Sequence, residues 1–317
     1  MGKPVVGAII VSYGPSFRAR DTVRSLLEAD ETPDYLLVVN NGPSRFDTWS
    51  GVPSLEARDV TLGMDLERGV TVIEASKNLG YSGGLRLGVS ALTHAEIGTD
   101  YLWLLNNDII VHRGALDALL AAAAGVSTVG MWGSTMCEDN SFATVSAIGV
   151  RYSSWTTRKR PVLAGMRAAK AIGLPSQPLI DYIVGAAMFM PFDAYSRCGG
   201  LSTDYFMYYE ELDLAARLRA LGLALGWCRQ SLIAHAGGAT TGSYRLRRAR
   251  PPAVAYHSMR SAVVYTRRHK PSAVPTVIIS RVLAHVCLNA VLGDVHAALA
   301  AARGCAAGLT ARLREGP

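Results

Sequence analysis

The sequence predicts an α/β fold: a mostly parallel sheet with helices on both faces, followed by a C-terminal helical extension. Three observations lead there. Short β-branched apolar runs alternate with segments of helical spacing from Val5 to Ala124, the pattern of strand–helix–strand crossovers. Three of those runs end in polar groups, Ser12-Tyr13, Asn40-Asn41 and Asn106-Asn107-Asp108, and open sheets bind ligands at the carboxyl ends of their strands. Half of the 317 residues are hydrophobic and 18% are charged, enough apolar material for a full core.

Taken in order, Val5–Val11 is β-branched and apolar and forms the first buried strand. Thr22–Ala29 has helical spacing, and Tyr35–Val39 is a second strand, closed by the turn signal Asn40-Asn-Gly-Pro43. Val70–Ile73 is a third strand, Ser82–Ala95 a helix, Tyr101–Leu105 a fourth strand and Gly114–Ala124 an Ala-rich helix. Ser153–Pro178 mixes basic residues, Gly and Pro without periodicity and reads as a loop or flap over a site. Beyond it, Tyr182–Met190 is apolar, Gly199-Gly200 marks a turn and Asp213–Leu221 is a helix. Residues 1–250 therefore read as a ligand-binding and catalytic domain, and 251–317 as a helical extension. Within it, Ala273–Leu292 is strongly apolar, yet Pro275, Arg281, His285 and Asn289 interrupt it, which argues against a spanning helix. A packed helix, a homodimer face and a helix lying on a membrane surface all fit.

The net charge of +7 is gathered in clusters: Arg158-Lys-Arg160, the group Arg245, Arg247, Arg248 and Arg250, and Arg267-Arg-His-Lys270. Such clusters favour anionic partners or form solvated helix faces. The five cysteines lack any CxxC spacing, which indicates neither a zinc site nor a disulfide framework and suits a reducing cytoplasm. The run Val5–Val11 is broken too soon by Ser12, Tyr13 and Gly14 to serve as a signal peptide.

The chemistry concentrates in four patches. Ser12-Tyr13 and Asn40-Asn41 suit hydrogen bonds to a base and ribose. Lys77-Asn-Leu-Gly-Tyr-Ser-Gly-Gly84 with Arg86 opens a helix; Gly80, Gly83 and Gly84 would let the backbone approach a ligand, and a helix N-terminus attracts phosphate. Asp108, with Asn106 and Asn107 beside it, is a carboxylate at a strand end that can hold a hard divalent cation, although an Asx turn would look the same. The fourth patch sets Glu210, Glu211 and Asp213 after the aromatic run Tyr205-Phe-Met-Tyr-Tyr209. Apolar neighbours raise a carboxylate's pKa and make it a usable base near neutrality. Asp213 reads as the structural member, near Arg217.

At this point the chain resembles the family 2 glycosyltransferases, in their rhamnosyltransferase-like branch. The resemblance spans roughly residues 5 to 240 and rests on six ordered motifs: Ile9-Ile-Val-Ser-Tyr13, Val38-Val-Asn-Asn-Gly42, Asn78-Leu-Gly-Tyr-Ser-Gly-Gly84, Leu104-Leu-Asn-Asn-Asp108, Gly199-Gly-Leu with Tyr209-Glu-Glu-Leu-Asp213, and His235-Ala-Gly-Gly238. The family implies a GT-A fold, a nucleoside-diphosphate sugar donor (dTDP- or UDP-linked, dTDP-rhamnose being the first choice), Mg²⁺ or Mn²⁺, and inversion at the anomeric carbon. Asp108 matches the last position of its DxD-type metal motif, and His235 the histidine that often completes the metal site. Glu210-Glu211 match its acidic pair, whose second member is the usual general base. Ser12, Tyr13, Asn40 and Lys77 fall where the family lines the nucleoside and diphosphate. Three positions depart from the pattern. Asn106 replaces the first Asp of DxD, Asn40 stands where many members carry Asp, and Glu211 replaces Asp. The implied acceptor is a glycan, a lipid-linked glycan or a small molecule, and no nucleic acid. Two rivals keep the same strand-end Asp, a sugar nucleotidyltransferase and a non-catalytic nucleotide-sugar-binding module.

Overall fold

The computed structural model describes residues 2–313 except 15, 44–53, 57, 59, 62, 63, 236–250 and 292. The arginines at 245, 247, 248 and 250 and the Gly237-Gly238 pair therefore lie outside the described residues. Strands β1 (Val6–Ser12) and β2 (Tyr35–Asn40) are joined by helix α1 (Ser16–Leu27). Next come β3 (Ser54–Glu56), β4 (Gly69–Glu74), α2 (Gly80–His94), β5 (Tyr101–Asn106), β6 (Ile109–Val111) and α3 (Ala115–Ala123). The middle holds β7 (Val129–Cys137), β8 (Val145–Ala147), the hairpin β9 (Val150–Tyr152) with β10 (Lys159–Pro161), α4 (Ala168–Ile172), β11 (Ala187–Pro191) and α5 (Phe192–Arg197). Helix α6 (Glu210–Ala220) and strand β12 (Ala224–His235) follow. The C-terminal part contains α7 (Pro252–His269), α8 (Val274–Arg281), a π-helical turn (Val282–Cys287), α9 (Leu288–Val291) and α10 (Val295–Thr310).

The main sheet runs in the order β3-β4-β2-β1-β5-β11-β7-β12-β6, with β8 paired to β7. The expected parallel half is present, since β1, β2, β3, β4 and β5 pair in parallel. The other half is mixed: β11 runs antiparallel to β5 and β7, and β6 antiparallel to β12. Every residue of β1 is buried, as a strand covered on both faces must be. Alternate residues feed two cores. Ile9 and Val11 pack with Leu37 and Leu104 on one face, while Val6, Ala8 and Ile10 pack with Leu36, Val38 and Trp103 on the other. Each such Ile or Leu contributes about 1.5–3 kcal/mol by leaving water.

Three expectations change. The segment 153–178 is not one loop, because it holds the second strand of a hairpin and helix α4; β10 is fully exposed, so no apolar alternation announces it. Helix α6 starts at Glu210, three residues before the expected Asp213, which places the acidic pair in its first turn. Of the apolar stretch Tyr182–Met190 only the end is strand, β11 beginning at Ala187. Strands β3, β6, β7 and β12 were not legible in the sequence.

Helix α7 is built into the main core through Ala262, Val264 and Tyr265, and it seams to α10 through Met259, Val263, Ala297 and Ala301. Its polar side grips the start of α6. Asp213 is fully buried and accepts from Arg217 Nε at 2.8 Å and Tyr205 OH at 3.2 Å, with His269 Nε2 at 2.7 Å and Arg268 Nη1 at 3.4 Å. Ser261 Oγ donates to Met207 O at 2.9 Å and Arg260 Nη1 to Asp204 O at 2.6 Å. Burial alone would push the Asp213 carboxyl up, but His269 and Arg217 outweigh it and hold it below the usual aspartate range. A depressed carboxyl contributes stability that is fully present above the ordinary aspartate value, about pH 4, and is lost as pH falls through the folded value. We expect Asp213→Asn to destabilise the fold by about 3–5 kcal/mol, the cost of leaving buried cations uncompensated, and to flatten the decline in stability below about pH 4. Urea unfolding at several pH values checks both, and an unchanged acid limb would refute the assignment.

Candidate active site

Strand β5 ends at Asn106, and the chain turns through Asn107 and Asp108 into β6. Because β6 pairs antiparallel with β12 in the register Ile109↔His235, the last residue of the long strand β12 is carried to the side of Asp108. His235 Nε2 lies 3.2 Å from Asp108 Oδ1 and 3.4 Å from Asn106 Nδ2. Asn107 turns inward and donates to Ser12 Oγ at 3.1 Å, tying the ends of β1 and β5 together. Burial pushes the Asp108 carboxyl up, but His235, Asn106 and Arg18 pull it down further, leaving it below the usual aspartate range.

The opposite wall is the first turn of α6. Tyr208 and Tyr209 precede it with φ of 67° and 73°, left-handed backbone that costs a side-chain-bearing residue roughly 1–2 kcal/mol. Packing holds the strain in place. Tyr209 is 1% exposed, with the rings of Tyr265 and Tyr152 at centroid distances of 5.5 and 6.0 Å. The two left-handed residues turn the chain sharply into the helix, so that Glu210 and Glu211 both face the cavity. Their Oε2 atoms are buried without a hydrogen-bond partner. Burial, and then the neighbouring Glu211, push the Glu210 carboxyl well above the usual range. Lys159, from the hairpin, brings its Nζ to 3.9 Å from Glu211 Oε1 and lies over the Tyr209 ring at 4.5 Å.

Between these walls is a cavity of about 700 Å³, a size suited to a nucleotide-sized ligand. Tyr13, Asn41, Asn106, Asn107, Asp108, Glu210, Glu211 and His235 all line it, eight of the residues singled out in the sequence. The remaining candidates make the following contacts. Ser12 is fully buried beneath Asn107. Asn40 donates to Glu74 Oε2 at 2.7 Å and accepts from Gly42 N at 3.1 Å. The glycines approach protein: a Cβ on Gly80 would sit 2.1 Å from Phe206 O, one on Gly83 2.8 Å from Leu79 Cβ, and one on Gly84 2.8 Å from Val11 Cγ1. Arg86 reaches Leu201 O at 2.7 Å, and Lys77 is exposed outside the cavity lining. The close approach expected of the Gly-rich segment is therefore made to strand β1 and to Phe206. Sequence reasoning missed Lys159 as a partner of Glu211, although its basic triplet was noted, and it missed Tyr81, whose OH donates to Gly185 O at 2.6 Å on the cavity wall.

The Asp108–His235 pair fits a divalent cation. Two donors bound side by side at about 2.1 Å from one ion stand about 3 Å apart, and the buried Asp108 Oδ1 faces the imidazole at that spacing. Among the described residues no group of three His, Cys, Asp or Glu could hold a metal. The remaining ligands would have to come from solvent or substrate, the usual habit of Mg²⁺ at phosphate sites.

Residues 8–165 match the family model described as glycosyl transferase family 2. The chain is 23% identical over 259 residues to an N-acetylglucosaminyl-diphospho-decaprenol L-rhamnosyltransferase of Mycobacterium tuberculosis, covering 75% of this chain and 78% of that one. It is 29% identical over 136 residues to the rhamnosyltransferase WbbL of Escherichia coli, covering 40% of this chain and 48% of that one. Among solved structures, GalNAc-T7 with UDP, GalNAc and Mn²⁺ superposes with a TM-score of 0.55 at 12% identity, over 83% of this chain and 48% of that one. That likeness shows the fold, GT-A, with the C-terminal helices added.

A raised carboxyl withdraws stability as pH climbs from its unfolded value, about 4.3, toward its folded one. Glu210→Gln should therefore gain stability over the wild type increasingly as pH rises above about 4.3, the ordinary Glu value, until the folded value is passed. Parallel unfolding curves at all pH values would show that Glu210 is not held protonated.

Proposed function

We propose, from the premise that this chain is a hexosyltransferase of glycosyl transferase family 2, that it moves a sugar with inversion from a nucleoside diphosphate to an acceptor hydroxyl. The observation that carries this reading is one cavity at the strand ends, with the Asp108–His235 pair on one wall and the Glu210–Glu211 pair on the other. The acceptor is a glycan, a lipid-linked glycan or a small molecule. The two relatives named as rhamnosyltransferases support rhamnose as the sugar and a dTDP- or UDP-linked donor.

Tyr13, Asn41 and Asn106 line the side of the cavity where the β-strands end, and they hold the nucleoside and ribose. Asp108 and His235 would hold Mg²⁺ or Mn²⁺, which supplies positive charge to a leaving diphosphate when bound. Glu211 Oε takes the proton of the acceptor hydroxyl as that oxygen forms its bond to the anomeric carbon. The bond from that carbon to the diphosphate breaks on the opposite face, and its electron pair leaves with the nucleoside diphosphate. Burial pushes the Glu210 carboxyl well above the usual range, which disfavours a second negative charge in the same turn. The rigid walls keep acceptor and donor in line. Five free cysteines, four of them buried, support a reducing, cytoplasmic setting. The exposed apolar residues along Pro271–Val291 support a peripheral contact with the membrane.

The test is nucleotide release from a panel of dTDP- and UDP-sugars with Mn²⁺ or Mg²⁺, with and without chelator. We expect release of a nucleoside diphosphate from one donor, abolished by chelation and by Asp108→Asn. Glu211→Gln should lower turnover roughly 10²–10⁴-fold, the range for loss of a general base, and Glu210→Gln much less. Intact turnover in both Glu variants, or pyrophosphate as the product, would refute the reading.

A further inference from the structure

A second cavity, of about 380 Å³, lies behind the acidic pair. Tyr208 and Val254 line both cavities. Its deepest charged group is Arg281, at the end of α8 and only 6% exposed. Arg281 Nη1 donates to Thr157 Oγ1 at 3.1 Å and to Tyr209 OH at 3.4 Å, while Nη2 donates to Ser258 O and Oγ, both at 2.9 Å. All four acceptors are neutral. No carboxylate among the described residues pairs with this guanidinium, and its Nε is buried without any acceptor. A buried cation left in this state is costly unless an anion completes it.

Two further features point into the same space. Lys159, on the cavity wall, places its Nζ 3.9 Å from Glu211 Oε1, so one ammonium stands between this cavity and the catalytic one. The helix departs from α geometry immediately after Arg281, in the π-helical turn Val282–Cys287, which sets Ala284 and His285 on the wall. Single π-turns of this kind recur at functional sites.

We propose that this cavity binds a phosphate or diphosphate group of the acceptor on Arg281 and Lys159, holding the acceptor so that its hydroxyl reaches Glu211. The proposal deepens the transferase reading and rests on it. An entering phosphate would take the idle Nε–H and displace a neutral acceptor from a neighbouring Nη, completing the fork that grips phosphate oxygens in pairs, and a second cation on the same wall selects a multiply charged anion. The phosphate can belong to a soluble sugar phosphate or to a lipid-linked diphosphate. The helix that carries Arg281 favours the lipid source: Ile279 and Leu283 are each 61% exposed and Val291 83%. Residues 251–317 also hold eight Lys and Arg against two Asp and Glu, a balance that draws the region toward anionic surfaces.

The test is calorimetric titration of the full chain with inorganic diphosphate and with farnesyl diphosphate, both in chelator, and separately with UDP and Mn²⁺. We expect Arg281→Gln and Lys159→Met each to weaken both diphosphates at least tenfold while UDP–Mn²⁺ binding stays unchanged, and Asp108→Asn to give the reverse pattern. Lys159 sits on an exposed hairpin strand with its side chain 35% exposed, so its variant keeps the test valid if Arg281→Gln fails to fold. Farnesyl diphosphate binding at least tenfold tighter than inorganic diphosphate assigns a lipid-linked acceptor, and equal affinities assign a soluble one. The proposal is overturned if diphosphate does not bind the wild type at millimolar concentration, if both variants bind it normally, or if its binding is lost in Asp108→Asn instead. Failure of UDP–Mn²⁺ to bind the wild type would sink the transferase reading, a separate outcome read in a separate titration.

Discussion

The carboxylate of Asp213 holds the second half of this molecule in place. It is fully buried and draws Arg217 of its own helix and Arg268 and His269 of α7 onto one point. Arg217 also donates to Cys198 O, at the turn before Gly199, and Arg268 reaches Asp204. Helix α6, the Gly199–Tyr209 segment and α7 thus meet at a single charge cluster. A buried carboxylate of this kind is worth little as net stabilisation, but removing one member strands the others. What it provides is position, because the residues it fixes begin three places before it with the acidic pair.

Position matters here because the two walls of the cavity have different mechanical origins. Asp108 and His235 sit on paired strands, and their spacing follows from the register between β6 and β12. Glu210 and Glu211 sit on a helix start held in a strained turn. A strained turn persists only where its surroundings over-determine it. Tyr209 meets that condition, enclosed by Tyr152, Tyr265 and the Lys159 ammonium. The hairpin that supplies Lys159 therefore does two things at once, clamping the turn and placing a positive charge near Glu211.

Strands β1, β2, β4 and β5 of the parallel half were legible in the sequence because they are largely buried and read as apolar runs. The site was legible where polar residues interrupt those runs, as at Asn106–Asp108. Strand β12 escaped notice because its polar residues, Arg229 and Gln230, break the run before His235, and its register shifts between Cys228 and Leu232. The hairpin was invisible because β10 is Lys-Arg-Pro and fully exposed. The Gly-rich segment was legible only as a place of close approach. Glycine permits close approach without specifying what approaches, and here Val11 and Phe206 do.

The segment also has a structural role. The Asn41 side chain accepts from Leu79 N at 2.9 Å and donates to Gly80 O at 2.8 Å, pinning the loop before α2 to the end of β2. The same loop bonds onward, Tyr81 N donating to Phe206 O at 2.8 Å, and Gly80 packs so tightly against Phe206 that no side chain fits there. Phe206 is two residues from the first left-handed tyrosine and four from Glu210. An unbroken chain of short contacts therefore runs from Asn41 on the strand-end wall, through Gly80, to the turn that aims the acidic pair. Gly80 is needed for that contact, and through it the loop before α2 supports the segment that leads to Glu210 and Glu211.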